Sequence, residues 1–141
     1  MANEPYMKYR AGIGHVGSYQ VSGIPWITGS TDIDNGQEHK ISFPYVAKSV
    51  TVINKSAVDL RIHFNSTSSD GGAQVITGQH YITLTEDRDS ITFNVKCKEI
   101  YISNGSGDAN GSYEVVAELT SIETTNMYAL TGSGLTTLDG T

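Results

Sequence analysis

The sequence has little of several features that would indicate common classes of protein. Cys97 is the single cysteine, so the chain has no internal disulfide and no CxxC metal-binding pair. Prolines number three, and charged residues make up only 17% of the chain. Nine lysines and arginines stand against fifteen acidic residues, a net charge of −6, and the basic residues form no cluster. We therefore expect no nucleic-acid partner.

Long apolar runs are missing as well. No stretch approaches the roughly 20 consecutive apolar residues that a membrane-spanning helix needs. The N-terminal sequence MANEPYMKYRAGIGHVG contains no apolar core of the kind found in secretory signals. We therefore expect no membrane partner and synthesis in a cytoplasm.

Motifs of catalytic and cofactor sites are also absent. The sequence has no GxSxG nucleophile turn and no phosphate-binding loop. Its histidines (His15, His39, His63 and His80) show neither HxH nor HExxH spacing, so a metal site would require three distant segments to converge. We predict that the chain is not an enzyme, that it has no cofactor or metal ligand, and that its histidines lie on the surface or at an interface. We expect Cys97 to be a buried structural thiol.

What the sequence does contain is apolar and polar residues alternating with a period of two, the pattern of half-buried strands. The clearest cases are VDLRIHF (58–64), ITFNVKC (91–97) and YEVVAEL (113–119), and weaker ones lie at 18–21, 39–43, 48–53, 73–77 and 81–84. The alternation predicts inward-facing side chains at Val58, Leu60, Ile62, Phe64, Ile91, Phe93, Val95, Cys97, Tyr113, Val115, Ala117 and Leu119. His63 falls on the polar face of its strand.

Turn-forming residues separate these strands at DNG (34–36), NKSA (54–57), NSTSSDGG (65–72), EDRD (86–89) and NGSGDANGS (104–112). Between Cys97 and Ile100 the apolar alternation changes phase, which indicates a β-bulge or a strand that passes from one sheet to another. Short strands about ten residues apart, with no amphipathic helix, predict an all-β fold. The expected architecture is a single-domain antiparallel β-sandwich, jelly-roll-like, with extended N- and C-terminal arms.

The chain divides into three regions on this basis. Residues 1–36 form an extended N-terminal arm and the first strands, residues 37–122 the sandwich body, and residues 123–141 an extended C-terminal arm. Ordering a residue costs about 1–2 kcal/mol in backbone entropy, and the flanks have few apolar residues to offset that cost. We therefore expect the arms to become ordered on a partner.

Aromatic and apolar side chains on the flanks are the candidate anchors for such a partner. They are Tyr6, Tyr9, Tyr19, Trp26, Tyr128 and Leu130. A carbohydrate site built on the same aromatics, Trp26 in particular, is the alternative. Deletion of residues 127–141 is expected to leave the body folded and to abolish attachment.

Two loops rich in Asp and Asn resemble calcium loops in part. DIDNG (32–36) begins like an EF-hand, but Phe43 stands where the bidentate glutamate would be, and DANGSYE (108–114) offers alternating oxygen atoms. We interpret both as turns. The N-x-S/T sequons at Asn54, Asn65, Asn104 and Asn110 also fall in turns, where asparagine is common without glycosylation.

Four longer segments of the sequence resemble those of a known group of proteins. GSYQVSGIPWITGS (17–30), FPYVAKSVTVINKS (43–56), VKCKEIYI (95–102) and YEVVAELTSIETTNMYALTGSG (113–134) resemble small virion structural proteins of marine tailed bacteriophages. The resemblance covers most of the chain. It implies a β-sandwich displayed on the virus particle, with no catalytic residues.

Within that group we favour a capsid decoration protein, which binds and stabilises the assembled shell. Its partners would be the major capsid protein or other virion proteins, and copies of itself in a homo-oligomer such as a trimer. It would be made in the host cytoplasm and located on the surface of the virion. The alternatives are a tail, collar or fibre component, and a carbohydrate-binding module for attachment to the host.

Overall fold

The computed structural model describes residues 23–67, 79–85, 87–105 and 109–130. These ranges contain seven strands and one 3₁₀ turn. The strands are β1 (Ile24–Ile33), β2 (Glu38–Asn54), β3 (Leu60–His63), β4 (Ile82–Leu84), β5 (Ser90–Phe93), β6 (Cys97–Asn104) and β7 (Gly111–Glu123), and the 3₁₀ turn is Thr124–Asn126. The strands predicted at 18–21 and 73–77 lie outside the described residues.

Strand β2 is shared by two sheets, and every pairing is antiparallel. Its C-terminal half lies between β7 and β5, and β1 pairs with the other edge of β7, which gives the first sheet the order β1-β7-β2-β5. Its N-terminal half pairs with β6, which gives the second sheet the order β2-β6-β3-β4. Apolar side chains from both sheets form one core. The predicted antiparallel, jelly-roll-like sandwich is confirmed.

The passage of β2 from one sheet to the other occurs at an irregularity in its pairing. Ser42 pairs with Glu99 and Ala47 with Cys97, so β2 uses five residues where β6 uses two. Pro44 lies in this segment and has no backbone N–H to donate to a neighbouring strand. The irregularity lies opposite Cys97 and Glu99, near the predicted change of phase, but the extra residues belong to β2 and not to β6.

Strand β1 carries no clear alternation in the sequence, yet it pairs with β7 along most of its length. Pro25 is tolerated because β1 is an edge strand of the sheet. Gly29 lies so close to β7 that a Cβ atom there would stand 2.7 Å from the Tyr113 carbonyl oxygen. The strand therefore depends on β7 for its position.

Most of the predicted inward-facing residues are buried or pack against the core. Leu60, Ile62, Cys97, Val115 and others form the core, with Val58, Phe64, Ile91 and Phe93 packed against it. The prediction was wrong for Val95, which is 40% exposed because β5 ends at Phe93. It was also wrong for the exposure of His63, which is fully buried although it lies on the polar face of β3.

A second, smaller apolar cluster forms where the chain leaves β7. Val46, Ile122 and Met127 are buried there, and Tyr128 and Leu130 pack against them. Lys98 Nζ donates a hydrogen bond to the Met127 carbonyl oxygen at 3.1 Å. The described part of the predicted C-terminal arm thus lies on the body, and a deletion beginning at residue 127 removes a core residue. The described ranges contain no helix long and apolar enough to cross a membrane.

Candidate interaction surfaces and a buried polar cluster

The structure places three of the six predicted anchor residues. Trp26 is half-buried and packs edge-to-face on Phe43, with ring centroids 5.3 Å apart. Tyr128 and Leu130 are half-buried on the second apolar cluster. Tyr6, Tyr9 and Tyr19 lie outside the described residues. The three placed side chains make contacts with this chain's own body, and their role at an interface stays a prediction.

The first sheet presents, on the side that faces away from the core, an exposed apolar pair that is not among the predicted anchor residues. Ile27 on β1 pairs directly with Val116 on β7, and these side chains are 71% and 36% exposed. The row continues through Thr51 on β2 to Thr92 on β5, whose hydroxyl oxygens are 2.9 Å apart. We call these four residues the outer face. The signal was present in YEVVAEL, since Val116 stands on the side of β7 that otherwise carries glutamates.

Glutamates border the outer face on β7. Glu114 and Glu118 stand two residues to either side of Val116, so their side chains emerge on the same face of the sheet. Lys48 Nζ lies 3.6 Å from a carboxylate oxygen of Glu118. An apolar centre with a charged margin is the usual anatomy of a protein–protein interface.

A groove opens between strands β3, β4 and β5. Its volume is about 370 Å³, and its lining is mainly apolar and aromatic. The lining residues are Ile62, Phe64, Gln79, His80, Tyr81, Ile82 and Phe93. We call it the seam groove, because β3 and β4 of the second sheet meet β5 of the first sheet there.

A second depression lies beside Trp26, where the carbohydrate alternative would place its site. Trp26, His39, Lys40, Ser42 and Tyr113 are among its lining residues. His39 Nδ1 and the Tyr113 hydroxyl are 2.8 Å apart and form a hydrogen bond. The depression combines an aromatic ring with polar groups, and carbohydrate binding there stays a prediction.

A polar cluster around Glu38 lies on the side of the second sheet that faces away from the core. Ser66 Oγ donates to one carboxylate oxygen at 2.7 Å, and the Thr67 backbone N–H and hydroxyl donate to the other, each at 2.9 Å. Burial by itself would raise the pKa of Glu38, but these hydrogen bonds and the neighbouring His63 outweigh burial and lower the pKa. The carboxylate therefore fixes the turn that follows β3.

His63 is the other titratable group of this cluster. Its Nδ1 is 2.8 Å from the Asn65 carbonyl oxygen, and its Nε2 is 2.9 Å from Ser103 Oγ and 3.9 Å from a Glu38 oxygen. The ring stacks on Tyr101 with an interplanar angle of 7°. Burial lowers the pKa of His63, and the positive charge of Arg61 acts in the same direction, although Asn65 and Glu38 oppose them. The imidazole is therefore neutral at pH 7, with a proton on Nδ1.

The Ser103–His63 pair has the distance of a nucleophile and its general base. However, Nδ1 donates to a backbone carbonyl, and the nearby carboxylate of Glu38 lies on the Nε2 side, so the third member of a triad is misplaced. Neither of the two depressions described above is lined by Ser103 or His63. The cluster satisfies a buried histidine and tethers the turn at residues 65–67.

Cys97 is fully buried, as predicted. Burial, aided by the negative charge of Glu99, raises the pKa of its thiol to about 12. A thiol is a weak nucleophile and a poor metal ligand until it is deprotonated. Cys97 therefore acts as a small apolar residue of the core.

The two loops considered for calcium meet each other in the fold. Asn110 Nδ2 donates to an Asp32 carboxylate oxygen at 2.6 Å, and Gly36 adopts a φ of +78° in the turn after β1. Across the described ranges, no group of three or more His, Cys, Asp or Glu residues lies close enough to hold a metal ion. Asn35 and Gly36 form a turn, as interpreted from the sequence, whereas Gly111 and the residues up to Glu114 are the start of β7 and Asp108 lies outside the described residues.

Two of the sequon asparagines are buried connectors. Asn54 Nδ2 donates to the carbonyl oxygens of Val58 and Leu84, at 2.8 and 2.9 Å. Asn104 Nδ2 donates to those of Ile33 and Ala109, at 3.0 and 2.8 Å. A glycan on either nitrogen would remove these hydrogen bonds and would not fit in the folded chain.

No protein-family model and no curated protein matches this chain. Among solved structures, a de novo designed double-stranded β-helix is 13% identical, with 67% of this chain and 99% of the designed chain covered and a TM-score of 0.40. A Cupin_2 domain of an XRE-family transcriptional regulator from Enterobacter cloacae is 15% identical, with 67% and 95% covered and a TM-score of 0.38. A Bacillus halodurans protein is 10% identical, with 70% of each chain covered and a TM-score of 0.38. The fold assignment stands on the strand order and pairing given above.

Proposed function

We propose that this chain is a non-enzymatic structural protein of a bacteriophage virion, and that it decorates and stabilises the assembled capsid. The resemblance of four sequence segments to virion proteins of marine tailed phages supports this proposal. The observation that carries it in the fold is the outer face, where Ile27 and Val116 expose a cross-strand apolar pair.

The outer face suits a broad and repeated contact better than a small ligand. It lies on paired strands, so its backbone is held by hydrogen bonds before any partner arrives. Its apolar centre would lose water on docking, which contributes about 25 cal/mol per Å² of apolar area removed from water. We assign the shell, built mainly of major capsid protein, as the partner of this face.

Stabilisation follows from preferential binding. A protein that binds the closed shell and not the free subunits shifts the equilibrium toward the shell. Many weak attachments on one particle add through effective concentration, so no single contact has to be strong. The acidic surface, with a net charge of −6, keeps unbound copies soluble. A tail, collar or fibre location is the alternative within the same class.

The outer face gives a direct test with purified protein and particles that lack it. The double variant Ile27→Thr and Val116→Thr should bind the particles on the order of tenfold more weakly or worse, because two desolvated apolar contacts are lost. Its melting temperature should stay near that of the parent, since both side chains are exposed.

The matched control is Val95→Thr, which makes the same change at an exposed valine that is not one of the four residues of the outer face. It should bind like the parent. Equal affinity of the parent, the control and the double variant would refute the assignment of the outer face.

A further inference from the structure

The seam groove exposes side chains that belong to the inside of the sandwich. Ile62 and Ile82 are cross-strand partners on the inner side of the second sheet, yet Ile82 is 45% exposed while Ile62 is buried. Phe64 and Phe93 continue this layer, with an edge-to-face contact at 5.7 Å between ring centroids. Because these core-facing side chains are exposed at one side, an apolar group that covered them would remove their surface from water.

One buried polar atom in the groove makes no hydrogen bond to the described residues. The Nδ1 atom of His80 is buried and has no hydrogen-bond partner within the described part of the chain. Leaving such a group unpaired costs about 1–3 kcal/mol. The lining thus favours an occupant with an apolar, aromatic body and a single hydrogen-bonding tip.

We infer that the seam groove receives a tyrosine from the N-terminal segment 1–22 of a second copy of this chain. A tyrosine ring would pack against Phe64 and Phe93, and its hydroxyl would pair with His80 Nδ1. All the aromatic residues outside the described ranges lie in this segment, at Tyr6, Tyr9 and Tyr19. This inference rests on the self-association part of the proposed function.

The position of the segment favours a partner copy. It joins the body at Gly23, next to β1, and β1 and β5 are the opposite edges of the first sheet. The arm of one copy therefore starts at the side that would face the β5 side of a neighbour placed head to tail. Such contacts between unlike surfaces close into rings when the rotation permits. Fully extended, the segment spans up to about 75 Å, which is enough to reach the neighbour's groove.

Cysteine cross-linking of the full-length protein tests this arrangement. One preparation carries Lys8→Cys, next to Tyr9, so that all three tyrosines of the segment stay in place. The other carries Ile82→Cys at the rim of the groove. Cys97 will not compete, because it is fully buried. The two preparations are mixed and oxidised mildly with copper phenanthroline, and covalent dimers are measured on non-reducing gels. Gln20→Cys, next to Tyr19, repeats the test at a second position of the arm, and Tyr81→Cys repeats it at a second position of the groove.

The control pairs Lys8→Cys with Ile27→Cys, which is exposed on the outer face. We expect the groove pair to give on the order of tenfold more covalent dimer than the control pair, because docking raises the effective concentration of the two thiols. A double variant carrying Lys8→Cys and Ile82→Cys in one chain should give covalent dimers and larger species.

Three results would overturn the inference. The first is an intramolecular disulfide in the double variant without dimers, which would place a copy's own arm in the groove. The second is a cross-link from Ile82→Cys to Val75→Cys or Leu135→Cys in place of the arm. The third is a yield no higher than the control at both arm positions. If any of these results is obtained and the protein is nevertheless present on virions, the decoration role stands and only this inference fails. If the expected cross-link forms and the protein is absent from virions, only the decoration role is rejected.

Discussion

Single buried polar residues hold the connections between strands in this fold. Asn54 stands at the end of β2, where its side-chain amide bridges the Val58 and Leu84 carbonyls and its oxygen accepts hydrogen bonds from Ser56. One side chain thereby joins the turn after β2 to strand β4. Asparagine in a turn was predictable from the sequence, but its burial was not, because it depends on strands distant in the chain.

Replacement of this residue tests its role. Asn54→Ala leaves two buried carbonyl groups without their donors, so the free energy of unfolding should fall by about 2–4 kcal/mol in urea titration. Asn94→Ala, at an exposed position, is the control and should change it by less than about 0.5 kcal/mol. A similar small change for both variants would show that the Asn54 amide is dispensable.

The pair formed by His63 and Glu38 predicts how stability depends on pH. The pKa of His63 is below its ordinary 6.5, so the unfolded chain binds a proton that the folded chain does not, and stability falls as pH drops below about 6.5. The pKa of Glu38 is below its ordinary 4.5, so a further loss begins as pH drops through about 4.5. Urea unfolding from about pH 7.5 to about pH 3.5 measures both.

Two variants separate these contributions. His63→Gln should flatten the dependence just below pH 6.5 and keep the loss below pH 4.5, whereas Glu38→Gln should do the reverse. An unchanged profile in His63→Gln would mean that another group titrates in that window.

At the scale of the elements, the described part of the C-terminal segment packs on the body. Met127 is buried with Val46 and Ile122, so it belongs to the body and not to a strap. Deletion of residues 131–141 should leave the free energy of unfolding within about 0.5 kcal/mol of the parent. Deletion of 127–141 should lower it by at least the roughly 2–5 kcal/mol expected for Met127→Ala.

Equilibrium unfolding of the two truncations, with Met127→Ala as reference, measures the difference. If both truncations matched the parent, the second apolar cluster would contribute nothing to stability. The attachment role of the residues after Leu130 stays a prediction, and the shorter deletion is the variant with which to test it.

The sequence predicted the elements whose alternation is complete. Strand β7 places Tyr113, Val115, Ala117 and Leu119 inward, as expected from one buried and one exposed face. The long β2 was predicted as two strands, because Pro44 and Tyr45 interrupt its pattern, and only the pairing with β6 and β7 shows that the backbone continues. Tertiary pairing supplied what local propensity lacked.

The surfaces were less accessible to prediction than the strands. His63 was assigned correctly to the polar face of β3, but its burial arises from the turn at residues 65–67, which Glu38 fixes from another strand. The seam groove combines residues of three strands that are distant in sequence. Of these surface features, Val116 alone could have been identified from the local sequence, as an apolar residue on the face of β7 that carries glutamates.

As a whole, the molecule has two distinct candidate surfaces. The outer face runs from β1 through β7 and β2 to β5, and the seam groove lies where β3 and β4 meet β5. A molecule that binds a shell through one surface and a copy of itself through the other would form a continuous layer on the particle. This arrangement is one way in which the two surfaces together would serve the proposed decoration role.

Counting the copies of this chain in purified virions, by quantitative mass spectrometry against the major capsid protein, tests the central claim most directly. Decoration predicts a copy number that scales with the sites of the capsid lattice and therefore approaches that of the capsid protein itself. A copy number fixed at the scale of a tail or collar part, or absence of the chain from intact particles, would contradict it.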